Sequence, residues 1–318
     1  VPQLASGLLA FVPVADHGRL LDRAREVTAR CDAWLTEYPI VRRPSVTAAC
    51  ALVSTVAMPH LRVTELGLLT RWWLWIFGVD DVFDDRAVPD ERVDTWARRF
   101  AGHLPADDDA LLAAYGSIRG DLSRYPLYPR FARRWRAGMA DIVRGMLRER
   151  RWSAAGTPAD QPGYDTYLRN GMTTISVRPY TVTAAILADE PAAADSFAAL
   201  DPVIDTAARC FRLANDLRSA AREREEGTLN AVWLLQRDLT ARGLGDAAAE
   251  QAARQRLRET CAADLAHLDA ARRTAPSALA TLTRFLWAHT LFVWNMYEVS
   301  DYDTASALLR RESGPSKE

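Results

Sequence analysis

Apolar residues recur every three or four positions along nearly the whole chain, in a background dominated by Ala, Leu and Arg. This period predicts helices over 17–37, 45–57, 62–86, 90–103, 108–122, 128–152, 162–188, 200–224, 228–241, 245–274, 277–299 and 303–311. Breaks fall at Pro39 to Pro44, Pro59, Pro89, Pro105, Pro126 to Pro129, Gly156 to Pro162, Pro191 and Pro276. No segment reads as a strand, no linker is long enough to mark a domain boundary, and no repeat is visible. The expectation is one all-α bundle domain over 1–311, followed by a disordered tail over 312–318.

Two helices carry unusual polar chemistry. The first runs RWWLWIFGVDDVFDD, an apolar run that ends on Asp80, Asp81, Asp84 and Asp85. Asp80 and Asp84 stand one turn apart on one face, and Asp81 and Asp85 share another. Carboxylates so close repel one another unless cations intervene, and hard oxygen donors suit Mg²⁺. The plain alternative is a solvated acidic helix end, though negative charge there opposes the helix dipole. Trp73 and Phe77 lead an aromatic stripe towards the acids, a stripe that ordinary core packing would also explain. A second acidic run, Asp107 to Asp109, follows Pro105 and is expected to cap a helix N-terminus.

The second helix contains Asn215, Ser219 and Glu223, spaced four residues apart and therefore on one face. An amide oxygen, a hydroxyl and a carboxylate in that order can chelate a hard metal. A solvated face is again the alternative, but Asn and Ser are poor helix-interior residues because they compete for backbone hydrogen bonds. Arg222, beside Glu223, can reach a phosphate oxygen.

Bulk composition narrows the classes. The 318 residues are 49% hydrophobic and 25% charged, a globular composition. Forty Lys+Arg against 41 Asp+Glu give a net charge of −1, so neither nucleic acid nor an anionic membrane surface is an expected partner. The four cysteines, Cys31, Cys50, Cys210 and Cys261, form no CxxC pair and read as reduced buried thiols of a cytoplasmic protein. The histidines form no HExxH, so no zinc site is expected. The longest nearly apolar stretch, Ala48 to Met58, is too short for membrane insertion.

The stretch from Asn215 to Glu223 resembles the N-D-x-x-S-x-x-K/R-E motif of class I terpene synthases, and DDVFDD resembles the aspartate-rich motif of the same family. The resemblance covers most of the chain in length, helical pattern and motif order. It implies the isoprenoid synthase helical bundle, with both motifs facing each other across the mouth of an apolar pocket. It also implies three Mg²⁺ ions and a prenyl diphosphate substrate, with a homodimer allowed. Asp80 would then be the principal ligand, with Asp81 and Asp84 in support, while Asn215, Ser219 and Glu223 hold a third ion and Arg222 contacts diphosphate. Phe77 is the first candidate for the pocket wall. Trp73, Trp287, Trp294 and Tyr302 follow, with core packing the other role open to the tryptophans.

Two features depart from the family pattern. A diphosphate-sensing arginine is expected upstream of the second motif, in YLRNGMTTISVRP, but the usual place after Tyr-Leu-x-x is Gly171. Arg169 is the expected sensor and Arg178 the alternative, with Gly171 to Ser176 supplying a helix break. Near the C-terminus, Asp301-Tyr302 stands where the family often carries Arg-Tyr, and a carboxylate cannot replace an arginine at a phosphate. These departures, with NAVWLL after the second motif, point to a C20 substrate, linear or bicyclic, over farnesyl diphosphate. The rivals are a sesquiterpene synthase, a chain-elongating prenyltransferase, which would carry a second DDxxD, and a non-catalytic helical interaction protein.

Overall fold

The computed structural model describes residues 7–42, 46–85, 87–102, 109–154 and 160–311, and every regular element among them is helical. In chain order these are α1 (Val14–Glu37), α2 (Thr47–Ala57), α3 (Val63–Phe83), α4 (Asp90–Gly102), α5 (Ala110–Leu122), α6 (Tyr128–Ser153) and α7 (Tyr164–Thr174). They continue as α8 (Val177–Ala188), α9 (Pro191–Ser196), α10 (Asp201–Glu226), α11 (Ala231–Ala241), α12 (Asp246–Thr274), α13 (Ala280–Val299) and α14 (Tyr302–Arg311). The expected tail lies outside the described residues. So do Asp107 and Asp108, whereas Asp109 caps α5 by accepting from the amides of Leu111 and Leu112.

The apolar run at Ala48 explains the centre of the bundle. Every residue of α2 is buried, and α1, α3, α13 and α14 pack around it. Helix α3 is almost as fully enclosed, with Trp72 and Trp75 at 0% exposure. Burying each such side chain contributes on the order of 1.5–3 kcal/mol. Trp75 satisfies its indole N–H on the Leu111 carbonyl at 2.9 Å. Helix α8 packs on both α3 and α10, and so fixes the spacing of the two helices that carry the polar motifs. No helix among the described residues is long and apolar enough to cross a membrane. All four cysteines are buried and free.

Three boundaries differ from the periodicity. Helix α3 stops at Phe83, because Arg150 of α6 takes the carbonyls of Phe83 and Asp85. The helix expected over 162–188 is two helices, broken at Ile175–Ser176, where Ser176 adopts a left-handed φ of 65°. That break falls inside the Gly171 to Ser176 stretch. After Pro191, read as a simple break, the chain forms α9 and a 3₁₀ turn, Phe197–Leu200.

Candidate active site

The acidic end of α3 has two faces with different partners. Gly78 admits the loop after α1: a Cβ there would lie 2.6 Å from the Ile40 carbonyl oxygen and 2.8 Å from Leu111 Cδ2. That loop brings Arg42, whose amide donates to Asp81 at 3.0 Å and whose guanidinium donates to Asp85 at 2.5 Å. Asp81 and Asp85 are thus directed at Arg42, while Asp80 and Asp84 line the cleft. Arg150 anchors the end of the helix, donating to Phe83 O and Asp85 O at 2.9 Å and to Val88 O at 2.5 Å. Burial, then the charges of Asp84, Glu149 and Asp81, hold the Asp80 carboxyl well above the usual carboxylate range. Asp84 is exposed at the rim, yet desolvation by the cleft walls and the charges of Glu223 and Glu149 push it up to about 6.

The facing stripe on α10 is held from behind. Asn215 donates its side-chain N–H to the Tyr297 hydroxyl at 3.0 Å, and among the described residues its amide oxygen accepts no hydrogen bond. Ser219 Oγ donates to the Asn215 carbonyl at 2.9 Å, and Glu223 Oε2 accepts from Asn230 Nδ2 at 2.8 Å. Asn230 also caps α11 and donates to the Asp216 carbonyl at 2.8 Å. Asp216 is fully buried and accepts from the Tyr167 hydroxyl and the Ala231 amide, each at 3.0 Å. Burial pushes Asp216 up to about 7 against the opposing pull of Arg212. Arg222 is exposed, 3.9 Å from Glu223 and close enough to Asp84 to lower its pKa.

Both motifs open on one cleft. An outer cavity of about 300 Å³ is lined by Asp80, Phe83, Asp84, Glu149, Arg150 and Thr228, among others. An inner cavity of about 100 Å³ shares Asp80, Met146 and Glu149 with it and adds Trp73, Phe77, Phe211, Arg212, Asn215, Tyr297 and Tyr302. The aromatic wall is continuous: ring centroids lie 5.6 Å apart for Trp73–Phe211, 5.2 Å for Phe77–Tyr302 and 6.0 Å for Tyr297–Tyr302.

The structure therefore brings together Asp80, Asn215, Phe77, Trp73 and Tyr302, with Asp84 at the mouth. Other sequence candidates fall elsewhere. Arg169 is exposed on the outer face of α7 and donates to Thr166 Oγ1 at 3.2 Å. Arg178 is engaged by Asp201 and, at 2.6 Å, by Asp205. Trp294 packs in a second core with Tyr167, Cys210 and Leu213. Trp287 lies against Phe11 and under Arg272. Asp301 accepts from the Thr304 amide at 2.8 Å and lies 4.0 Å from Arg218, so it serves the start of α14.

Sequence reasoning missed Glu149, Tyr297 and Arg212. Arg212 alone left a signal, because the α10 stripe continued one turn towards the N-terminus reaches it at i−3 from Asn215. Glu149 and Tyr297 sit on other helices and enter only through packing.

Among the described residues, no three His, Cys, Asp or Glu side chains form a self-contained metal cage. The donors instead come from two facing helices: carboxylates that raise one another's pKa, a hydroxyl and an unpartnered amide oxygen. That set fits a hard divalent cation, which takes one or two carboxylates and completes its shell with water and phosphate.

The chain is similar to known proteins in sequence and in fold. The family model described as "Terpene synthase family 2, C-terminal metal binding" matches residues 71–267, which include both motifs. A curated relative, ent-pimara-9(11),15-diene synthase of Streptomyces sp. (strain KO-3988), is 27% identical over 231 residues, 66% of this chain and 73% of the relative. 2-Methylisoborneol synthase of Streptomyces coelicolor A3(2), solved with Mg²⁺ and geranyl-S-thiolodiphosphate, superposes with a TM-score of 0.69 at 22% identity over 88% of this chain and 92% of that one. Linalool/nerolidol synthase of Streptomyces clavuligerus, solved with 2-fluorogeranyl diphosphate, gives 0.63 at 20% identity over 86% and 93%. At these identities the solved structures speak to the fold.

Proposed function

The chain belongs to terpene synthase family 2, and on that premise we propose a Mg²⁺-dependent class I terpene synthase that ionises a C20 prenyl diphosphate to a cyclised or rearranged terpene and diphosphate. The observation that carries this reading is the shared inner cavity: Asp80 and Asn215 meet there at the edge of a wall made by Trp73, Phe77, Phe211, Tyr297 and Tyr302.

In this assignment Asp80 is the principal metal ligand with Asp84 in support, Asp81 is instead held by the Arg42 amide on the outer face of α3, and Asn215, Ser219 and Glu223 form the opposing ligand set for three ions in all. Mg²⁺ would supply Lewis-acid stabilisation of the charge that builds on the leaving diphosphate. Arg222, at the rim, contacts diphosphate oxygens. The allylic C–O bond breaks with its electron pair going to diphosphate, and the carbocation stays in the apolar chamber. There the aromatic rings exclude water and stabilise positive charge by about 0.5–2 kcal/mol per favourable contact.

The C20 choice draws support from the pimaradiene synthase relative and from the departures at Gly171 and Asp301. The test is competition. Geranylgeranyl, farnesyl and bicyclic C20 diphosphates are offered together with Mg²⁺, and kcat/KM is compared from hydrocarbon products. A preference for a C20 diphosphate is expected. A clear preference for farnesyl diphosphate would replace the C20 assignment with a sesquiterpene one.

A further inference from the structure

A carbocation held in the chamber becomes a hydrocarbon only by losing a proton. The leaving diphosphate belongs to the mouth, beside Asp80 and Asn215, so a proton lost at the far end needs an acceptor there. Helical phase locates that end. Inward from the mouth, α3 runs from Asp80 to Trp73 and α10 from Asn215 to Phe211, and both rings line the inner cavity. On α13 the same walk starts at Tyr297, which lines the cavity and bonds Asn215. Two turns earlier on that face, about 12 Å deeper at 1.5 Å per residue, stands His289.

One layer of aromatic rings separates His289 from the cavity. Its imidazole stacks on Trp73 at 5.5 Å and meets Phe211 edge-on at 5.3 Å. Tyr180 at 5.1 Å and Phe285 at 5.8 Å enclose it further. Packing does not call for an imidazole here. The residue is 0% exposed, and neither ring nitrogen has a hydrogen-bond partner among the described residues. An apolar ring would fill the space without stranding two polar atoms.

Burial pushes the His289 pKa down to about 3, so the ring is neutral and one nitrogen keeps an unused lone pair. Weak basicity is no handicap. A C–H bond beside a carbocation is far more acidic than an imidazolium, and a low pKa lets the proton go afterwards. Access follows from volume. The inner cavity of about 100 Å³ is smaller than the roughly 300 Å³ at which ligand pockets begin. A prenyl chain anchored at the mouth enters by moving wall rings outward, and Trp73 and Phe211 are the rings that cover His289.

We propose that His289 is the terminal base of the reaction, taking a proton from a carbon adjacent to the last carbocation at the chamber floor. This deepens the terpene synthase reading and rests on it. The C–H bond breaks, its electron pair forms the product C=C bond, and the proton goes to the free imidazole nitrogen. The imidazolium passes it to water as the product leaves. The overall products are hydrocarbon, diphosphate and one proton.

The test separates ionisation from termination. Diphosphate release in a single turnover, the product profile and Tm are measured with Mg²⁺ and the preferred prenyl diphosphate. His289→Phe keeps a stacked ring and removes the base. Its Tm is expected at or above wild type, and its diphosphate release within about threefold, because ionisation occurs at the distant mouth. The main hydrocarbon is expected to fall about tenfold or more against products of other proton losses or of water capture. His289→Ala opens a space the size of one imidazole. Added imidazole is expected to restore the native profile in that variant, whereas pyrrole, the same ring size without a basic nitrogen, is not. Restoration by both rings, or by neither, would overturn the proposal. So would a native profile in His289→Phe, or a parallel loss of release, products and Tm, which would make His289 structural. A wild-type protein that releases no diphosphate from any prenyl diphosphate would instead defeat the terpene synthase reading itself.

Discussion

The acidic end of α3 and the polar stripe of α10 face the same cleft but are built in opposite ways. On α3 the supporting partners, Arg42 and Arg150, hold the outer carboxylates and the helix end. The inner pair, Asp80 and Asp84, keeps its mutual repulsion, with both carboxyls above their usual range. On α10 the donors are fixed from behind, Asn215 by Tyr297 and Glu223 by Asn230. One side is charge-frustrated; the other is preorganised. Cation binding should therefore relieve strain on α3 and cost little rearrangement on α10.

The largest expected effects come from deleting one donor on each side. Asp80→Ala and Asn215→Ala should each lower turnover on the order of 1,000-fold with the fold intact. Near-wild-type turnover in either variant would remove that helix from the site. The next tests the preorganisation directly. Asn230→Ala should weaken Mg²⁺ affinity by about 10–100-fold, because it frees Glu223 without touching the metal. Arg42→Ala, behind the outer carboxylates of α3, should weaken it far less. Equal losses, measured by metal titration of turnover, would erase the contrast between the two helices.

A smaller effect concerns pH. The folded-state pKa of Asp84 is raised to about 6 from 3.8. Folding then holds its proton more tightly than the unfolded chain does. Its contribution is neutral at low pH, and stability is lost as pH rises between about 4 and 6. The Tm of metal-free protein should fall across that window, less steeply in Asp84→Asn and less steeply with Mg²⁺ and diphosphate bound. The same slope in all three samples would mean that Asp84 is not frustrated. Smallest of all, Arg169→Ala and Arg178→Ala should each leave ionisation within about threefold of wild type, and Arg178→Ala should cost at most about 1 kcal/mol through its exposed ion pairs. A 100-fold loss in Arg169→Ala would return the diphosphate contact to α7.

The α3 and α10 motifs were legible because their chemistry lies in residue types at helical spacing, which one strand of sequence records. The arginines were not. Arg169 lies 46 residues before Asn215, about the offset the family resemblance implies, but helical phase decides direction: Tyr167, Asn170, Gly171 and Thr174 face inward on α7, and Arg169 does not. Trp294 misled in the same way, since α13 serves two cores and that face belongs to the second. Glu149 had no signal at all, because it enters the cleft through the packing of α6 against α7. A Cβ on Gly171 would lie 2.8 Å from Arg212 Nε, a link that only the packing of two helices reveals.

The central claim is that the cleft between α3 and α10 ionises a prenyl diphosphate with divalent metal. It is tested most directly by following release of inorganic diphosphate from geranylgeranyl diphosphate, with hydrocarbon products analysed in parallel, in Mg²⁺ and after EDTA. The expected result is stoichiometric diphosphate and hydrocarbon in Mg²⁺, and neither after EDTA. Product formation that survives EDTA would contradict the account.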